Sequence, residues 1–198
     1  MIAIIDYGVG NLFSLSSSLH NIGLECVVTN RREIINKADK IILPGVGAFS
    51  DARKLLAKDG LDEYLIEQAG QGKPFLGICL GMQLLFDKSF EYGEHKGLGL
   101  IKGEIQPIQT QFKIPHIGWN SLSFVKDDLL TKYIKDGDFV YYVHSYCAVE
   151  CDDALVAVSD YGTKVAGIVR NKNVCGTQFH PEKSGEVGLN ILRAFGEI

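Results

Sequence analysis

Apolar positions in the amino-terminal half fall into two alternating textures. Ile2-Ala3-Ile4-Ile5, Cys26-Val27-Val28, Lys40-Ile41-Ile42-Leu43 and Phe75-Leu76-Gly77-Ile78 are short runs without in/out alternation, as strands buried on both faces of a parallel sheet read. Between the first two, Leu12, Leu15, Leu19 and Ile22 recur at three- and four-residue spacing. This predicts a helix over 11–22, with Asn11 able to cap its start and Gly23 its end. A second helical region is predicted from Ala48 to Ala69, broken at Gly60, with Phe49, Leu55, Leu56, Leu61, Leu65 and Ile66 facing inward. Repeated strand, helix, strand units imply right-handed crossovers and a parallel sheet.

From about Glu104 the pattern changes to closely spaced β-rich segments: Ile105 to Ile108, Asn120 to Val125, Phe139 to Val143, Leu155 to Ser159, Val165 to Val169 and Val174 to Phe179. Gly and Asp punctuate them, as in hairpins. The expected fold is α/β: a mixed, mostly parallel central sheet flanked by helices, with antiparallel additions in the carboxy-terminal half and a closing helix from Glu186 to Phe195. No linker, repeat or low-complexity stretch separates the halves, so residues 1–198 are expected to form a single domain.

Composition narrows the class. At 198 residues and 46% apolar, the chain has enough for one sizeable core. Its net charge of -4 lacks the clustered positive charge that nucleic acid requires, so no nucleic-acid partner is expected. The longest apolar stretches, such as Lys40 to Val46, fall far short of the ~20 residues of a membrane helix. The first residues carry no basic region or cleavage site, so neither a membrane nor export is expected. The five cysteines, Cys26, Cys79, Cys147, Cys151 and Cys175, are scattered and form no CxxC pair. They point to a reducing cytoplasm, mostly buried thiols and no metal site.

The segment richest in chemistry is Pro74-Phe75-Leu76-Gly77-Ile78-Cys79-Leu80-Gly81-Met82-Gln83-Leu84-Leu85-Phe86. An apolar strand runs through Gly-Ile-Cys-Leu-Gly into a helical pattern, the context of a nucleophile elbow with Cys in place of Ser. The strained turn needs small residues two positions either side, and the helix that follows points its positive end at the thiol. A buried cysteine between two glycines is the plain alternative. In Gly176-Thr177-Gln178-Phe179-His180-Pro181-Glu182-Lys183-Ser184, His180 can take a thiol proton. Glu182, two residues on along an extended chain, can orient the ring. His-x-Glu alone is more often a surface pair; with the elbow it makes a candidate Cys79-His180-Glu182 triad. Leu43-Pro44-Gly45-Val46-Gly47-Ala48-Phe49 ends a predicted parallel strand, where open α/β sheets bind ligands, and its glycines leave amides free to approach an oxyanion. Taken alone it reads better as a plain turn into a helix. Gly8-Val9-Gly10 has Phe13 where a dinucleotide fingerprint needs its third glycine, and His20, His95, His116 and His144 have no metal-site spacing. These four histidines read as ordinary core or surface residues.

With Gly-Ile-Cys-Leu-Gly-Met-Gln, Pro-Gly-Val-Gly and His-Pro-Glu in this order, the chain resembles the class I glutamine amidotransferases, which have a flavodoxin-like fold. Asp6-Tyr7-Gly8-Val9-Gly10-Asn11-Leu12, His116-Ile117-Gly118-Trp119-Asn120 and Tyr141-Tyr142-Val143-His144-Ser145-Tyr146 are most similar to the glutaminase subunits of imidazole glycerol phosphate synthases. The resemblance implies L-glutamine as substrate and no cofactor. It makes Cys79 the nucleophile, His180 the base and then acid, Glu182 the orienting carboxylate, and Gly45, Val46 and Gly47 an oxyanion strand whose peptide must reorient. Gln83 and Ser145 match glutamine-binding positions. Asn11, Trp119, Tyr141 and Lys183 match positions that face a (β/α)8-barrel cyclase subunit at the ammonia exit, although a lone Trp is equally explained as a core residue. The glutaminase of pyridoxal phosphate synthase has a different amino-terminal signature, and a catalytically silent module would usually have lost a triad residue.

Overall fold

The computed structural model describes residues 1–198. The four runs are strands β1 (Ile2–Ile5), β2 (Cys26–Thr29), β3 (Lys40–Gly45) and β4 (Phe75–Cys79), all parallel, but only β1, β3 and β4 are buried on both faces; β2 is the edge strand of the sheet and leaves Val28 exposed. Their lack of alternation has a packing cause. Ala3, Ile5, Ile41 and Leu43 join one core with Phe49, Leu56 and Leu65, while Ile2, Ile4 and Ile42 join another with Leu15, Leu19 and Ile191. Each buried Leu, Ile or Phe in these layers contributes about 1.5–3 kcal/mol.

Helix α1 (Leu12–Asn21) ends as its glycine predicts: Gly23 takes φ 78°, and the Gly23 and Leu24 amides close back on His20 and Leu19. Asn11 occupies the N-cap position, but its side chain makes no capping hydrogen bond. A short α2 (Arg32–Lys37), which fully buries only Ile35, precedes β3; six residues are too few to display a periodicity. The second helical region divides into α3 (Phe49–Ala57) and α4 (Leu61–Gly70), the break being a 3-10 turn over Lys58–Gly60. Leu55 is 41% exposed rather than inward, because Phe49, Ala52 and Leu56 occupy the inner stripe and successive helical residues point in different directions.

After β4 come α5 (Leu80–Leu84), shorter than the apolar run through Phe86 suggests, then β5 (Lys88–Ser89), β6 (His95–Lys96), β7 (Glu104–Pro107), β8 (His116–Ser121), β9 (Ser123–Phe124), β10 (Phe139–His144), β11 (Tyr146–Val149), β12 (Leu155–Asp160), β13 (Lys164–Asn171), β14 (Val174–Thr177) and α6 (Gly185–Glu197). The central sheet has the order β2-β1-β3-β4-β14-β13-β12-β9. It is parallel as far as β14 and antiparallel beyond. Two smaller sheets, β10-β8 and β11-β7-β5-β6, lie outside it. The expected strand Asn120–Val125 is therefore two: at the fully buried Leu122 the chain leaves the β8/β10 ribbon and joins the edge of the main sheet.

Candidate active site

Cys79 stands where β4 meets α5, with φ 54° and ψ -111°, a conformation that L side chains rarely adopt. The surrounding glycines are required by contact. A Cβ on Gly77 would lie 2.6 Å from the Gly81 carbonyl oxygen, and one on Gly81 only 1.8 Å from that of Leu43. Close approach of α5 to both β4 and β3 is what turns the Cys79 side chain off the end of the sheet. Five residues make α5 a short helix, so its end carries less of a dipole than a full-length helix would.

Cys79 and His180 line one cavity of about 350 Å³, together with Val46, Gly47, Gln83, Ser145 and Lys183. His180 is 4% exposed, and its Nδ1 lies 2.9 Å from Glu182 Oε1, both side chains being buried. The pair does not arise from strand alternation, as the sequence suggests. β14 stops at Thr177, His180 is extended, and Pro181–Lys183 form a 3-10 turn with Pro at its first position, which curls Glu182 back under the ring. Burial by itself disfavours the charged ring, yet the Cys79 sulfur and the Glu182 carboxylate beside it outweigh that and raise His180 to about 10. A positive imidazole beside the sulfur is placed to hand its proton to a departing nitrogen.

Gly45 ends β3 in register with Cys79. A Cβ there would meet the Gly81 amide and the Tyr7 hydroxyl, each at 2.8 Å. Tyr7 itself donates to the Pro44 carbonyl at 2.8 Å, and burial followed by the nearby Cys79 sulfur pushes its phenol up, keeping it a donor. The Gly45–Val46 peptide thus sits between an anchored carbonyl and Gly47, whose φ is +95°. Gln83 is buried and Ser145 half-buried. Trp119 is 56% exposed, not a core residue; it packs edge-to-face on Tyr141, its register partner in the ribbon, at 5.8 Å. Lys183 lies at the cavity, while Asn11 stands half-buried at the start of α1.

The family model described as "Glutamine amidotransferase class-I" matches residues 3–197. The chain belongs to that family. Among curated relatives, the imidazole glycerol phosphate synthase subunit HisH of Lactococcus lactis is 52% identical over 99% of this chain and 98% of its own length. That of Aquifex aeolicus is 49% identical over 97% and 94%. Among solved structures, a glutamine amidotransferase superposes with TM-score 0.78 at 16% identity, covering 99% of this chain and 100% of its own, and PurLQS from Thermotoga maritima with 0.75 at 22%, covering 98% and 96%. These two establish likeness of fold.

Several residues at this amidotransferase's cavity carry no sequence signal of their own. Gln178 Nε2 points at the Cys79 sulfur from 3.9 Å, the Val143 carbonyl is 3.8 Å from the same atom, and Glu91 lines the cavity while accepting from the Phe49 amide at 2.6 Å. His116 and His144 are bonded to each other, a contact spanning 28 residues that their spacing did not announce.

Proposed function

We propose that residues 1–198 act as one glutaminase domain, the glutaminase subunit of an imidazole glycerol phosphate synthase in histidine biosynthesis. The observation that carries this reading is the shared cavity of Cys79 and His180, with Glu182 bonded to the far side of the ring. Near 50% identity to named HisH subunits over essentially the whole chain supports the choice of synthase.

Cys79 Sγ attacks the side-chain amide carbon of L-glutamine. Charge gathers on the amide oxygen, where backbone amides of Gly45, Val46 and Gly47 receive it. His180 delivers its proton to the departing nitrogen, the C–N bond breaks, and ammonia leaves a cysteinyl thioester. The ring, now neutral, takes a proton from water as that water attacks the thioester; the C–S bond then breaks, glutamate is released and the sulfur returns as an anion beside the recharged ring. Glu182 holds the ring in one orientation throughout. Losing one oxyanion donor costs ~10²- to 10³-fold in rate, so a Gly45–Val46 peptide turned away from the hole leaves the free subunit nearly idle.

Ammonia passes to a (β/α)8-barrel cyclase subunit seated on the face that bears Asn11, Trp119, Tyr141 and Lys183, in the cytoplasm. An exposed apolar ribbon supports a docking role there: Ile117, Trp119 and Phe139 are each more than half exposed on neighbouring strands. The deciding experiment is glutamate release by the purified chain with and without the cyclase subunit and its phosphoribulosyl-formimino carboxamide ribonucleotide substrate. Stimulation by both is expected; an intact thiol with no stimulation would reassign the partner.

A further inference from the structure

Two histidines outside the mechanism form a buried pair. His144 Nδ1 is 2.8 Å from the Tyr146 carbonyl oxygen, which only accepts, so this nitrogen carries a proton. Burial lowers both His144 and His116 to about 4, and the rings are neutral at pH 7. The Nε2 of a neutral, Nδ1-protonated His144 is an acceptor. His116 Nδ1, 2.9 Å away, therefore donates to it, and His116 Nε2 accepts in turn from Asn120 Nδ2 at 3.4 Å. One proton arrangement satisfies all three contacts. Tyr142 and Tyr161 stack on the His116 ring at 4.6 and 3.9 Å between centroids.

The row ends at the catalytic cavity. The Tyr146 carbonyl accepts from His144 and also from Gln83 Nε2 at 3.0 Å. The Gln83 amide nitrogen also donates to Gln178 Oε1 at 3.1 Å. With both N–H groups engaged, Gln83 offers a ligand only its oxygen, an acceptor suited to an ammonium group. Reversing the amide would set two oxygens against that oxygen, so its direction depends on the two carbonyl partners staying in place.

We propose that His116 and His144 are positioning residues for substrate recognition: the hydrogen-bonded pair fixes the Tyr146 carbonyl, which keeps the Gln83 oxygen turned to the α-ammonium of glutamine. This rests on the glutaminase reading above. The test compares steady-state glutamine hydrolysis by the synthase complex with cyclase substrate bound, in the natural chain, His116→Phe and His116→Asn. Phe keeps the stacking but removes the donor, whereas Asn returns an N–H near Nδ1. In His116→Phe, KM should rise about tenfold, the equivalent of one hydrogen bond to a charged group, with kcat changing less than about threefold. The Asn variant should recover most of the loss, and iodoacetamide should alkylate Cys79 at the natural rate. Nitrogen NMR on the unsubstituted protein gives a second readout, both rings neutral with the proton on Nδ1. An unchanged KM in folded His116→Phe, a loss confined to kcat, or a proton on Nε2 of either ring would overturn the proposal. If the unsubstituted complex releases no glutamate, the glutaminase reading falls and this inference with it; if it does release glutamate and KM does not move, this inference alone falls.

Discussion

The main-chain amide of His180 donates to the carbonyl of Tyr141 at 3.0 Å, so the histidine at the cavity hangs from the strand whose side chain meets Trp119 on the outer face. Ser184, 1% exposed, closes the link: its hydroxyl donates to the His180 carbonyl at 2.6 Å and accepts from the Tyr141 amide at 3.0 Å. Ser184→Ala leaves the half-buried Tyr141 N–H without its partner and should cost about 1 kcal/mol in urea unfolding. Loosening His180 should also lower kcat more than it changes KM, read in steady-state assays of the complex.

Cys79→Ala should abolish glutamate release while ammonia-dependent synthesis by the proposed complex continues, because in that proposal the cyclase partner, not this chain, performs the cyclisation. Residual glutamate release at more than a trace in the purified variant would mean that another group is the nucleophile.

The pH dependence of stability follows from His180. Burial opposes its charge, but the Cys79 sulfur and Glu182 raise it to about 10 in the folded chain, against ~6.5 when unfolded. The stabilisation is therefore complete below about pH 6.5 and is lost as pH climbs toward 10. Urea midpoints measured between pH 7 and 10 should fall, and Glu182→Gln should flatten that fall. Parallel curves for the two proteins would contradict the assignment.

Glycine substitutions should separate contact from conformation. Gly81→Ala puts a methyl 1.8 Å from the Leu43 carbonyl oxygen, so β3 or α5 must move, and a loss of more than ~4 kcal/mol or failure to fold is expected. Gly70, at the end of α4 with open space around it and no positive φ, should accept Ala with a gain of ~0.4–1 kcal/mol. Thermal unfolding of the two variants measures both.

Because Trp119 is 56% exposed, Trp119→Ala should change the stability of the free chain by less than ~0.5 kcal/mol. If the cyclase docks there, the same change should weaken the complex by ~2 kcal/mol or more, as large aromatic anchors do. Calorimetric titration of the two subunits reads the difference, and an unaltered Kd would move the interface off this ribbon.

Much of the architecture was readable because its causes are local. Runs such as Ile2–Ile5 and Ile41–Leu43 lack alternation because both faces of the strand are covered, and Gly23 closes α1 through its own positive φ. The strained turn at Cys79 was legible for the same reason, since strand, flanking glycines and helix lie within a dozen residues. Shorter elements were not. α2, β5 and β6 hold only two to six residues, too few for a period, and the split at Leu122 depends on which sheet each half joins. Tertiary structure alone decided the rest: that a 3-10 turn rather than an extended strand sets Glu182 against His180, that Trp119 faces outward, that Glu91 and His144 line the cavity, that Gln178 points at the Cys79 sulfur and that His116 bonds to His144. Those contacts join strands and loops far apart in the chain. Their geometry depends on sheet order and packing, which no local pattern of side chains encodes.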